Sequence, residues 1–311
     1  NQFSTCLFYY TSMSVPVQAA RLREHGGRGM FGLIVGHSIP SCLHEKQAEH
    51  ACVRTPFGSV ELERFSIHDI QIWVVYRHGP STTMLAHEIN YKANIWALRQ
   101  MGVSVLLLTS SVGCVSEGIQ LNAPLLITDL LMLDNSLPDG SACTYGEGYL
   151  ICGDALFSPA LRNQFKQAWE VHGSSMLPEV TYWYQPGPRT KTPLENKALG
   201  ALGVDVNSMT IGPEVVLANE LGIATIAVGI AHVSPVKTKA APGFAGDGKV
   251  DASFQGVDFS KTVECFVTGC DPCTSCETYV HVRKATGAFS SKTTERQLTI
   301  VAAASILFLF L

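Results

Sequence analysis

The chain has 311 residues, enough for one large α/β domain or two small ones. Apolar residues make up 46% and charged residues only 15%, so a sizeable core can be buried, yet no run reaches the ~18 apolar residues of a membrane-spanning helix. A net charge of -4 argues against a general nucleic-acid binder, which would carry a basic face, but it leaves room for a local basic pocket for a small anion.

Residues 1–28 read as an irregular N-terminal segment, and the Cys6–Tyr10 run is too short for a secretory signal. Phe31 to Val35 predicts a strand ending in the loop Gly36-His37-Ser38, and Thr55 to Gly58 a turn. Ile70 to Tyr76 is a β-rich run that delivers Arg77 and His78 at its end. Ala86 to Met101 has helical periodicity, with Ile89, Ala93, Trp96 and Ala97 on one face and Gly102 as a stop. Val103 to Leu108 is continuously apolar, as in a strand buried on both faces, and runs into a loop from Thr109 to Gly113. Leu125 to Leu133 predicts another strand; Ser158 to Val171 and Glu195 to Leu202 predict helices. Val204 to Asn207 reads as a short strand, Pro213 to Leu221 as a helix with proline in its first turn, and Ile223 to Ile230 as the last core strand.

This alternation predicts an α/β fold: a single domain over residues 29–282, built on a mixed β-sheet flanked by helices. Ligands of such sheets bind at the carboxyl ends of strands. Ser38, Arg77-His78, Ser110-Ser111 and Met209-Thr210 all fall just after strand candidates.

Beyond Ser234 the pattern weakens. Lys237 to Gly256 reads as loop, followed by Cys265, Cys270, Cys273 and Cys276. Three readings stand for this cluster: a metal or cluster site, local disulfides, or free thiols in a loop. The fourth cysteine is too close for a ferredoxin-like spacing. Residues 283–311 form a polar spacer and an apolar tail. Small residues at Ala285-Thr286-Gly287, a spacer of about ten and the apolar end resemble a GPI-attachment signal; a helix docked on the core is the other reading.

The residues at the strand ends suit a small oxyanion. Arg77 has a planar fork that matches phosphate oxygens, and His78 can donate beside it. Ser38, Ser110 and Thr210 add hydroxyl donors. Taken singly, an Arg-His pair is an ion-pair feature, the hydroxyls are turn residues and Met209 is core filler. The ordered set is what favours a site.

Pro213-Glu214-Val215-Val216-Leu217-Ala218, with Arg77-His78-Gly79 and Asn90 to Leu98, resembles the nucleoside phosphorylases, nearest their S-methyl-5'-thioadenosine phosphorylase branch. The resemblance spans roughly residues 31–230. It implies attack of inorganic phosphate on C1' of a ribosyl purine, giving free base and a ribose 1-phosphate. It places Arg77, His78, Ser38, Ser110 and Thr210 at the phosphate, and Met209 and Ser111 at the ribose. It implies nucleoside and phosphate as partners, no metal or organic cofactor, and a cytoplasmic homotrimer; the tail's alternative is attachment to the cell surface.

The purine end departs from the family. A Thr-Asp-x-Asp run is expected after the last core strand; Ala231 and Val233 stand in place of its acids, with His232 between them. The expected Gly-Pro-x-Phe loop reads Gly187-Pro188-Arg189-Thr190, and Lys191 occupies the place of a base-reading side chain. Leu150 and Thr82 stand where the branch has histidines. The expectations are therefore a phosphorylase with a shifted base preference or, alternatively, a catalytically impaired nucleoside- or anion-binding relative. A hydrolase of the same fold is a third and weaker reading.

Overall fold

The centre of the fold is built from continuous apolar runs such as Val103 to Leu108, which form strands covered on both faces. The computed structural model describes residues 30–36, 40–44, 46–81, 83–146, 149–151, 153, 156–172, 176–233, 253–254, 257–270 and 282–284. In chain order the elements are β1 (Met30–Val35), α1 (Ser41–His44), β2 (Glu49–Thr55), β3 (Gly58–Ile67), β4 (Ile70–Tyr76), α2 (Tyr91–Gln100), β5 (Val103–Cys114), β6 (Pro124–Leu131) and β7 (Tyr149–Ile151). There follow α3 (Pro159–His172), β8 (Glu179–Tyr184), α4 (Pro193–Ala201), β9 (Val206–Ser208), α5 (Ile211–Glu220), β10 (Ala224–Val233) and α6 (Phe259–Gly269).

Nine strands form one mixed sheet in the order β10-β6-β8-β9-β5-β1-β4-β3-β2. An additional β10–β5 pairing joins β5, β10, β6, β8 and β9 into a closed ring. β1 lies parallel between β4 and β5, and β10 runs parallel to β5. The fold class read from the sequence is the one observed.

Side chains alternate across the sheet with period two, and the core divides accordingly. Ile34, Trp73, Val75, Leu106 and Leu108 pack with Ala93, Ile95 and Ala97 of α2 and Val215 and Leu217 of α5. Phe31, Leu33, Val74, Val105 and Leu107 pack on the other side with Phe165 of α3 and Val263 and Phe266 of α6. Phe266 meets Phe31 and Phe165 edge-on at 6.1 and 5.3 Å. Each fully buried side chain of this size contributes about 1.5–3 kcal/mol.

α5 is buried on every side, so its polar residues need internal partners. Glu220 accepts from Thr144 Oγ1 and Tyr145 N, both at 2.8 Å, and Asn219 Nδ2 donates to Val215 O and Leu156 O at 2.9 and 3.0 Å. Gly212 is required by packing: a Cβ there would lie 2.7 Å from Tyr184 Cβ.

Several boundaries differ from expectation. α2 starts at Tyr91, not Ala86, because the Asn90 side chain accepts from Ala93 N at 3.1 Å and caps the helix there. β5 runs on through the residues expected to form a loop, because Ser110 to Gly113 pair with β10 and Gly113 and Cys114 pair with β9. The β2–β3 hairpin and β8 were not expected; β3 alternates exposed and buried residues over one face only. Cys265 was read in a loop but sits on α6 as a free thiol, and Cys270 is buried just past the helix end. Cys273, Cys276, and the proposed anchor signal lie outside the described residues. No helix among the described residues is long and apolar enough to cross a membrane.

Candidate active site

Arg77 leaves the end of β4 with its backbone N–H on Val35 O at 3.0 Å, and its side chain is 1% exposed. Nε and Nη2 donate to the two carboxylate oxygens of Glu214 at 2.8 and 2.7 Å, and Nη1 donates to Thr109 O. Three of the five guanidinium N–H donors are thus committed within the protein. The arginine fork thus faces a glutamate, a partner the sequence reading did not give it, and the two buried side chains form an ion pair. Burial pushes the Glu214 carboxyl above the ordinary glutamate range, while the charge and hydrogen bonds of Arg77 pull it back. Gly36, at the end of β1, lies alongside; a Cβ there would sit 3.8 Å from Nη1. Ser38, two residues on, lies outside the described residues.

The Thr109 carbonyl ties this pair to a hydroxyl cluster. Ser110 Oγ lies 3.2 Å from Thr210 Oγ1 and 3.3 Å from Ser208 Oγ, which is 2.9 Å from the Tyr182 hydroxyl. Thr210 is the residue before α5 and makes no side-chain cap of that helix, so its hydroxyl is turned to Ser110 instead. The start of a ten-residue helix therefore lies beside four hydroxyls and the Arg77–Glu214 pair. Arg77, Ser110 and Thr210 are brought together from positions more than 130 residues apart. His78 directs Nδ1 to Met84 O at 2.8 Å. Met209 is partly buried with its sulfur over Gly187, and its carbonyl shares the Tyr91 hydroxyl with Ala86 O at 3.0 and 2.8 Å. Ser111 is exposed and, one step along β5, faces away from Ser110, so the structure does not bring it to the cluster.

A second polar group lies further along β5. Lys191, on the loop before α4, donates to Asn207 Oδ1 at 2.6 Å. A Cβ on Gly113 would be 3.3 Å from both the Lys191 nitrogen and that oxygen, so the glycine leaves the room they occupy. Partial burial lowers the Lys191 pKa, and the nearby Cys114 opposes this. His232 directs Nδ1 to Val112 O at 2.8 Å. Much of the residue meets solvent, but its ring's inner edge is enclosed; that desolvation and the Lys191 charge lower its pKa, against the Val112 hydrogen bond. Ala231 is fully buried in the core and presents no polar group, and the Val233 backbone pairs with Gly113.

Sequence reasoning placed Glu214 at a helix start without a partner and passed over Ser208, Tyr182 and Asn207. The missing signal is tertiary: Glu214 lies 137 positions from Arg77, and Ser208 lies 98 from Ser110.

Hydroxyls from β5, β8 and β9 gathered at the start of α5 define a polar cluster in an α/β protein. The chain belongs to the phosphorylase superfamily, whose pattern matches residues 33–247. It is 33% identical over 234 residues to a probable 6-oxopurine nucleoside phosphorylase of Thermococcus kodakarensis, covering 70% of this chain and 82% of that one. It is 32% identical over 200 residues to a probable S-methyl-5'-thioinosine phosphorylase of Methanopyrus kandleri, covering 63% and 75%. Among solved structures it is similar to the methylthioadenosine phosphorylase from Schistosoma mansoni in complex with tubercidin, with a TM-score of 0.68 and 21% identity over 80% of this chain and 95% of the other. At that identity the likeness is one of fold.

Proposed function

We propose that this chain catalyses phosphorolysis of a purine nucleoside or a 5'-methylthio nucleoside, giving free base and the corresponding ribose 1-phosphate. A phosphate oxygen forms a bond to C1' as the C1'–N9 bond breaks. The electron pair of that bond goes to the purine, which takes up the proton that phosphate gives up on becoming a monoester. Phosphate is a substrate, and no metal or organic cofactor enters this scheme.

The observation that carries the reading is the Ser110–Thr210 hydroxyl pair beside Arg77 and the start of α5. Thr210, Ser110, His78 and Ser38 are the groups we assign to phosphate. Arg77, steadied by Glu214, is assigned to the same anion through the N–H groups those bonds leave over. Met209 is assigned to the ribose. Assembly as a homotrimer goes with this reading.

The test is a panel of 6-oxo, 6-amino and 5'-methylthio purine nucleosides, each with and without phosphate. Base released only with phosphate, together with a ribose 1-phosphate, is expected. No phosphate-dependent release from any of them would favour the impaired, ligand-binding alternative.

A further inference from the structure

A phenol has one proton to give, so the acceptors around a buried tyrosine show what that proton holds in place. Tyr91, the first residue of α2, is 1% exposed. Its hydroxyl lies 2.8 Å from Ala86 O and 3.0 Å from Met209 O, two carbonyls from distant parts of the chain. Burial, and after it the charge of Glu214, hold the phenol far above its ordinary range, so it stays protonated and donates.

Both carbonyls belong to segments that carry residues of the proposed site. Ala86 lies on the connection from β4 to α2, which begins at Arg77 and His78. His78 is tied to that connection twice: Nδ1 reaches Met84 O at 2.8 Å, and Met84 N donates to His78 O at 3.1 Å. Met209 lies between β9 and α5, and its carbonyl is half of the peptide group leading into Thr210. A third segment closes on the same point, since a Cβ on Gly187 would lie 3.0 Å from the Met209 sulfur and 3.8 Å from Ala86 Cβ. Thr210 has supports of its own, the Ser110 hydroxyl at 3.2 Å and the start of α5. The Met209 side chain is only partly buried, so its direction depends on its backbone and on these neighbours.

Resting on the phosphorolysis reading, we propose that Tyr91 is a positioning residue: by fixing the Met209 carbonyl against the β4–α2 connection, its hydroxyl sets the methionine assigned to the ribose and so holds the sugar over the anion. The reaction is sensitive to that placement. Attack on C1' needs the phosphate oxygen and the anomeric carbon about 3–3.5 Å apart and in line, and a misplacement of about 1 Å can cost a hundredfold. Hydroxyls and a guanidinium aim at an anion through directional bonds. A thioether meets a sugar by van der Waals contact alone and swings about three rotatable bonds, so its aim has to come from the backbone that carries it. Phenylalanine at position 91 keeps the buried ring and takes this donor away from both carbonyls.

The test compares wild type, Tyr91→Phe, Met209→Ala and the double variant as full chains, on inosine and on 5'-methylthioadenosine. In Tyr91→Phe the KM for nucleoside is expected to rise about tenfold and the KM for phosphate to stay within about twofold. In the Met209→Ala background the same change at Tyr91 is expected to add nothing to the nucleoside KM, because the group it positions is gone. A merely structural tyrosine would lower the folded fraction in urea and leave the KM values where they are. Calorimetric titration of each nucleoside, and of hypoxanthine and adenine as the free bases, separates the inference from the reading beneath it. Nucleoside affinity that falls in Tyr91→Phe while base affinity holds, in a protein without turnover, upholds the positioning role and removes phosphorolysis. An unchanged nucleoside KM, additive losses in the double variant, or equal weakening of nucleoside and base overturns the role. A wild type that neither binds nor cleaves either nucleoside overturns both.

Discussion

The Arg77–Glu214 pair shows how one residue's role depends on another far away in the chain. Both side chains are 1% exposed and meet in a two-point contact. A buried pair adds little net stability compared with a well-packed apolar pair, but removing one member strands the other's charge. Glu214→Ala is therefore expected to destabilise the fold by about 3–5 kcal/mol in urea unfolding. Replacing both residues together, Arg77→Met with Glu214→Leu, is expected to recover much of that loss. A cost under about 1 kcal/mol for Glu214→Ala would mean the pair is not closed as described. The arginine itself was legible in the sequence, because Arg77-His78-Gly79 follows a clear β-rich run. Its partner was not, since a glutamate in the first turn of a helix is accounted for by the helix dipole alone. The departure at Lys191 was legible as a departure. What it touches was not, because Asn207 and Gly113 reach it only through strand pairing.

At the level of elements, α5 does the most to set the end proposed for phosphate. It carries Glu214, follows Thr210 directly, and is wholly buried. Its N-terminal turn packs on Tyr184 through Gly212, where no side chain fits. Gly212→Ala is expected to cost about 1–3 kcal/mol by overpacking and to raise the KM for phosphate, as the helix start is pushed away from Ser110. Denaturation within about 0.5 kcal/mol of wild type would contradict that packing. The apolar elements were legible because their period and length are unambiguous: β4 was bounded residue for residue, and α3 within one residue at each end. β5 was cut short because Thr109 to Gly113 reads as a polar turn, although pairing with β10 throughout, and with β9 at Gly113, keeps it extended. The β2–β3 hairpin was missed because half of its residues face solvent and few are strongly apolar.

For the molecule as a whole, ring closure is what turns scattered residues into a site. The β10–β5 pairing brings the last core strand beside the central one, so that Gly229 stands opposite Ser110 and Val233 opposite Gly113. The Ser110 hydroxyl then meets groups supplied by β9 and the residue before α5. No periodicity within a single segment encodes this closure, and the sequence reading gave only a mixed sheet flanked by helices. The measurement that bears most directly on the account is phosphate-saturation kinetics of Thr210→Val against wild type on a purine nucleoside. Base release that depends on phosphate, with a KM for phosphate raised roughly ten- to a hundredfold in the variant and stability little changed, is the predicted result. Release that is independent of phosphate, or an unaltered KM for phosphate in Thr210→Val, would contradict it.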